Sequence, residues 1–166
     1  MPPRYYKTVT TDQDKPLREQ LVHALRGDQS HIDLESVISD LSAELAGVKP
    51  KGAPHTAWQL LEHMRIAQHD ILEFSLNPKH KSPKWPEGYW PNTEAPPDKD
   101  AWDITIATFR KEAKAMEDLM LDPDQDLFKP IEGGSGQTLL REVLVLAAHN
   151  SYHLGQLMYL KKMLLA

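Results

Sequence analysis

The sequence predicts an all-α protein: an up-down four-helix bundle with an additional short helix and a long loop rich in proline and tryptophan. Three observations carry this. Apolar residues recur at i, i+3, i+4 and i+7 in successive segments, as in helices that bury one face. No segment of any length shows the alternation of a half-buried strand, and there is no internal repeat or low-complexity segment. Four substantial helices within 166 residues suit a single domain over 1–166 with a core of its own.

The elements follow in order. Leu17, Leu21, Ala24 and Leu25 form one helical stripe; Pro16 suits its first turn and Gly27 its stop. "SHIDLESVISDLSAELAG" carries a second stripe, Leu34, Val37, Ile38, Leu41 and Leu45, read as one short satellite helix from an Asp33 cap to Gly47. The next helix runs from about Thr56, a candidate cap, to Ser75, and Pro78 ends it. A third long helix spans about Asp98 to Leu121, with Trp102, Ile106, Phe109, Ala113, Met116 and Met120 on one face and Asp122-Pro123 as terminator. The last begins near Thr138 and runs almost to the C-terminus. Val143 to Ala148 is apolar on every side, which predicts that this helix lies in the interior of the bundle.

Two connections are long. "NPKHKSPKWPEGYWPNTEAPP" holds six prolines and two tryptophans. Loops of this length are functional or disordered more often than not, and aromatic content argues against disorder. Two readings stand: the Trp85 to Trp90 segment covers a site, or it is a proline-stiffened connection anchored by its tryptophans. The second connection, "DPDQDLFKPIEGGSGQ", carries a flexible GGSG portion.

Composition excludes several function classes. A net charge of −5 and the lack of a basic run argue against nucleic acid and anionic membrane surfaces. The chain has no cysteine, so thiolate metal sites, disulfides and cysteine nucleophiles are out. That suits a reducing, cytoplasmic setting. "MPPRYYKTVTTDQDK" has no apolar h-region, and no stretch approaches the roughly 20 apolar residues of a membrane span.

The chemistry lies in the histidines. In "AAHNSYHLGQLMYL", His149 and His153 are about 40° apart around a helix and roughly 6 Å apart along it, so both rings can reach one ion. Zinc proteases use this spacing in H-E-x-x-H, but here the second position is Asn150, which cannot act as a general base. A histidine pair in an apolar helix needs partners, and a shared metal is one solution; packing against backbone or carboxylate is the other. A third ligand must come from another helix. On the Thr56 to Ser75 wheel, His63 borders the apolar face of Leu60, Met64, Ala67 and Ile71, whereas His69 projects to the opposite, solvated side. His63 is therefore the candidate third ligand. His23, His31, His55 and His80 read as ordinary solvated or boundary histidines.

The motifs "WQLLEHM" and "HNSYHLGQ", with "HIDLES", "KGAPHTAWQLLEH" and "WPEGYWP" as context, resemble the DinB-like superfamily of bacterial four-helix bundles, over most of the chain. The resemblance implies a divalent metal held by one histidine of the second bundle helix and two of the last, here His63, His149 and His153. Characterised members of that superfamily include metal-dependent thiol S-transferases and a thiol-dependent isomerase. It also implies a homodimer.

Three protein ligands leave a position open, the pattern of catalytic rather than structural zinc. Neutral imidazoles suit zinc, nickel, iron or copper. The open position can take water or a small thiol, and with no cysteine in the chain a thiol must be a cosubstrate. Glu142 and Gln156 share the face of His149 and His153. Glu142 is a candidate base or orienting group and Gln156 a candidate partner for an imidazole or substrate. Tyr152 is a candidate proton donor, and Gly155 is expected to admit a close neighbouring helix. The expectation is a metal-dependent enzyme acting on small molecules by thiol S-transfer or hydrolysis. The alternatives are a non-catalytic metal- or ligand-binding stress protein, and a structural bundle.

Overall fold

A computed structural model describes residues 14–166. The rest of the N-terminal stretch discussed above lies outside the described residues. The helices are α1 Lys15–Arg26, α2 Leu34–Ile38, α3 Ala43–Ala46, α4 Ala57–Leu76, α5 Ala101–Leu121 and α6 Leu139–Leu165, with a 3-10 turn at Glu87–Tyr89. The four long helices pack together, and the described residues contain no strand, only an isolated bridge between Pro130 and Thr138.

The caps explain most boundaries. Gly27 ends α1 with φ 71°, a left-handed conformation that glycine adopts without penalty. Thr56 Oγ1 accepts the Gln59 N–H while Gln59 Oε1 accepts the Thr56 N–H, a reciprocal capping box that starts α4. The expected single short helix is two. Asp33 does cap the first, accepting the Ser36 N–H at 2.7 Å. Ser42 Oγ then accepts the Leu45 N–H and begins α3 afresh. Lys161 Nζ donates to the Ser36 carbonyl and Ser39 Oγ, taking up the C-terminal end of α2. Serine and lysine side chains here compete with continuation of the helix, which an apolar stripe does not register.

The helix directions follow from side-chain pairs. Thr105 donates to Glu62, Gln68 to the Phe109 carbonyl, and His69 pairs with Glu112, so numbers on α4 and α5 rise together. These two helices run parallel. Arg18 reaches the Met120 and Asp122 carbonyls while Arg26 pairs with Glu117, so α1 runs against α5. Direction thus reverses from α1 to α4 and from α5 to α6, but not from α4 to α5. A 20-residue helix is about 30 Å long, so the chain leaving Leu76 must return along all of α4 before α5 can start. That is why the proline-rich connection is long: it is a crossover between parallel helices, where the expected up-down order would have needed only a hairpin between antiparallel ones.

The crossover is tied along its path. Tyr89 and His80 meet Asp70, the Tyr89 carbonyl meets His63, Trp58 Nε1 donates to Thr93, and Thr56 Oγ1 donates to the Glu94 carbonyl. At its end Ala95 lies against Gly47, where a Cβ would come within 2.6 Å of the Ala95 Cβ. Only glycine fits that approach.

The core has two layers. One joins α2 and α3 to the start of α4 and α5 and the end of α6, through Val37, Ala46, Trp58, Leu61, Met64, Trp102, Phe109 and Leu157. The other joins α1 to the far ends, through Leu21, Val22, Leu72, Met116, Met120, Val143 and Leu146. Helix α6 is not interior on every side: Leu144 is 50% and Val145 40% exposed, and Ala148 is exposed too. A bundle helix has neighbours on only part of its circumference, so apolar residues all round leave one apolar stripe in contact with solvent. Gly155 also departs from expectation. It is exposed, and a Cβ there would meet nothing within 4 Å.

Candidate metal centre

Between the core layers lie polar side chains. Asn150 donates to Gln68, Gln68 donates to the Phe109 carbonyl, and beside them His63, His149 and His153 converge. His63 is 2% and His153 7% exposed, and His149 is half-buried. The His63 Nε2 atom is 3.0 Å from that of His149 and 3.2 Å from that of His153. Ligand nitrogens about 2.0–2.1 Å from one zinc-like ion stand about 3 Å apart, so the cluster has the dimensions of a three-nitrogen site.

The outer nitrogens fix the protonation pattern. His63 Nδ1 lies 2.8 Å from the Tyr89 carbonyl oxygen, which only accepts, so that nitrogen carries the proton. His153 Nδ1 lies 2.7 Å from Gln156 Oε1 and is assigned likewise. In the neutral rings both Nε2 atoms then present lone pairs, aimed at each other with no proton between them. That arrangement is repulsive unless a cation sits where the lone pairs meet. The donor set fits a divalent metal ion.

Burial enforces neutrality. It lowers the proton affinity of His63 against the opposing effect of the Tyr89 carbonyl, and that of His153 against Gln156. Burial, followed by the rings of His153 and His63, pushes His149 down to about 4. Neutral imidazoles are the metal-binding form.

The crossover covers one side. Trp90 stacks on His63 with ring centroids 4.0 Å apart and planes within 3°, and His55 stacks on Trp90 at 4.2 Å. Of the two readings of the Trp85 to Trp90 segment, the structure shows both: it lies on the histidine cluster and is anchored there by aromatic and polar contacts. Trp85 itself is 68% exposed and packs near Tyr89.

The other sequence candidates separate. Gln156 meets His153, as its place on the wheel suggests. Tyr152 lies edge-on to the His153 ring at 4.9 Å but is 64% exposed. Glu142 is buried, but its partner is Arg141, and it sits next to Val143 of the far core layer, two turns from His149. The shared helix face is real, yet two turns is about 10 Å, too far to touch a ligand ring. His69 pairs with Glu112 on the surface and His23 with Asp28, and His31 is exposed. His80 and His55 are not simply solvated. His80 packs on the Asp70 carboxylate at 2.7 Å, and His55 joins the stack on His63 through Trp90.

Sequence reasoning missed Asp70, the Tyr89 carbonyl and the Gln68–Asn150 pair. A backbone carbonyl leaves no trace in residue types. Asp70 did leave one: seven residues after His63, it is a carboxylate on nearly the same face of α4.

The chain matches the sequence model of the DinB superfamily over residues 26–157. No curated protein and no solved structure matches it. The match covers most of the chain and includes all three clustered histidines, so the chain belongs to the DinB superfamily.

Proposed function

We propose that this protein binds a divalent metal ion through His63, His149 and His153 and acts with it on small molecules, by transfer of a thiol to an electrophile or by hydrolysis. The observation that carries the reading is the convergence of three Nε2 atoms, two of them on rings whose Nδ1 protons are committed to oxygen acceptors. Zinc or nickel fits this donor set best, and iron or copper is compatible with it. Bound there, the ion would leave a position open and acidify the water or thiol that occupies it. The chain's own part is to hold the rings neutral and aimed. Gln156 and the Tyr89 carbonyl orient two of them, and Trp90 closes one flank from water. A thiol would come from a low-molecular-weight cosubstrate, because the chain has no cysteine.

One observation favours a non-catalytic metal- or ligand-binding role instead. Glu142, the carboxylate offered as a base, is out of reach of the cluster, and Tyr152 is the proton donor left beside it. Metal-loaded protein assayed with bacterial low-molecular-weight thiols and a panel of electrophiles decides between them. Metal-dependent turnover supports the enzyme, and inactivity with a full metal site supports the binding protein.

We also infer a homodimer in the cytoplasm. The family resemblance supports the first and the cysteine-free chain the second. Exposed Leu144, Val145, Tyr152 and Tyr159 on α6 are the apolar side chains a second copy would cover. Sedimentation equilibrium should give about twice the chain mass of 18.9 kDa; the monomer mass would overturn the dimer.

A further inference from the structure

Nothing in a three-histidine site calls for Asp70, yet it is a buried carboxylate, 8% exposed, on the face of α4 that carries His63. Burying a carboxylate is costly unless its oxygens are paired. Both are: Oδ1 lies 2.7 Å from His80 Nε2, and Oδ2 accepts the Tyr89 hydroxyl at 2.6 Å. The two partners stand nine positions apart in the crossover, so one carboxylate gathers that segment onto the helix.

Tyr89 then reaches two turns of α4 at once. Its phenol is held at Asp70, and its main-chain carbonyl accepts the His63 Nδ1–H. The next residue, Trp90, lies flat on the His63 ring. Rotation of that ring about its bond to Cβ is set by the carbonyl, and its tilt by the indole. Both constraints come from consecutive residues of one loop. On the far flank the loop is tied by Thr93 to Trp58 and by Glu94 to Thr56. Asp70 supplies the tie on the near flank.

We propose that Asp70 is a positioning residue of the metal centre: by clamping His80 and Tyr89 it holds the Tyr89 carbonyl and Trp90 against His63, fixing the tautomer and aim of that ring. The proposal rests on the metal reading for its purpose, but the tautomer of His63 can be measured without a metal. Asp70 acts through Tyr89 and touches neither the ion nor a substrate.

The test compares wild type, Asp70→Asn and Tyr89→Phe, with Glu87→Gln as a control on the exposed side of the same loop. Tyr89→Phe keeps the ring and the backbone carbonyl and loses only the hydroxyl, so it carries the test if Asp70→Asn does not fold. In metal-free, 15N-labelled protein, two-bond proton–nitrogen spectra should show wild-type His63 as the Nδ1–H tautomer with a slowly exchanging proton. Both variants should show mixed tautomers and exchange at least about tenfold faster, while the control matches wild type. Zinc affinity, from competition with a chromophoric chelator, should fall by about 10–100-fold, the range typical of groups that orient a metal ligand. An unchanged His63 tautomer and exchange rate in a folded variant overturns the proposal, whatever happens to melting temperature or zinc affinity. If wild-type protein binds neither zinc nor nickel, the metal reading fails, and the tautomer comparison still decides the role of Asp70.

Discussion

At His63 and His153 the ring proton sits on Nδ1 because its partner is an oxygen, and each ring is thereby left with a nucleophilic Nε2 facing the cluster. Gln156→Leu removes one of those oxygens and should weaken zinc binding by about 10–100-fold. His149→Ala should do more and abolish stoichiometric binding; a chelator competition titration reads both. The same burial predicts a pH effect on the metal-free fold. An unfolded histidine takes up its proton near pH 6.5, whereas His149 in the fold does so only near 4. Between those values the unfolded chain binds more protons at this site, so the His149 contribution lowers stability as pH falls from about 6.5 towards 4 and levels off below. Urea midpoints of metal-free protein across that range check the sign, and His149→Gln should flatten the slope. The three histidines were legible in the sequence because spacing and helical wheel are local properties of α4 and α6. The Tyr89 carbonyl was not, since any residue could have supplied it. Glu142 shows the limit of the wheel, which gives angle around a helix but not distance to a partner.

At the scale of elements, α4 begins at a capping box whose threonine also grips the returning crossover at Glu94. Thr56→Ala removes both roles and should cost about 1–2 kcal/mol, at the upper end for a helix cap, measured by urea unfolding. Gly155 makes the opposite case. Within one chain it has open space where a Cβ would stand, so it should accept alanine with a gain of about 0.5–1 kcal/mol; a loss would mean that the second copy of the proposed dimer packs on that face. Helix existence was written in the apolar periodicity, and α1, α4, α5 and α6 lie close to where it puts them. The split of α2 from α3 was not, because it depends on Ser42 and on Lys161 arriving from the far end of the chain. The direction of α5 was also hidden. A run of 21 residues from "NP" through "APP" is long enough to cross the bundle, but nothing in its composition says that it does.

For the molecule as a whole, the two-layered core encloses a polar layer whose members meet from α4 and α6 and are roofed by the crossover. Among the described residues no helix is long and apolar enough to cross a membrane. An ion bound only by the folded chain adds stability by mass action, about 2.7 kcal/mol at a concentration one hundred times its dissociation constant. Melting of metal-loaded protein should therefore occur several degrees above that of metal-free protein, and the gap should vanish in His149→Ala. The most direct test of the central claim is elemental analysis of protein purified without an affinity tag, before and after dialysis against added zinc or nickel. One divalent metal ion per chain, lost on replacing His63, His149 or His153 by alanine, is the result these three nitrogens predict. A folded wild-type protein that arrives metal-free and takes up neither zinc nor nickel would contradict it.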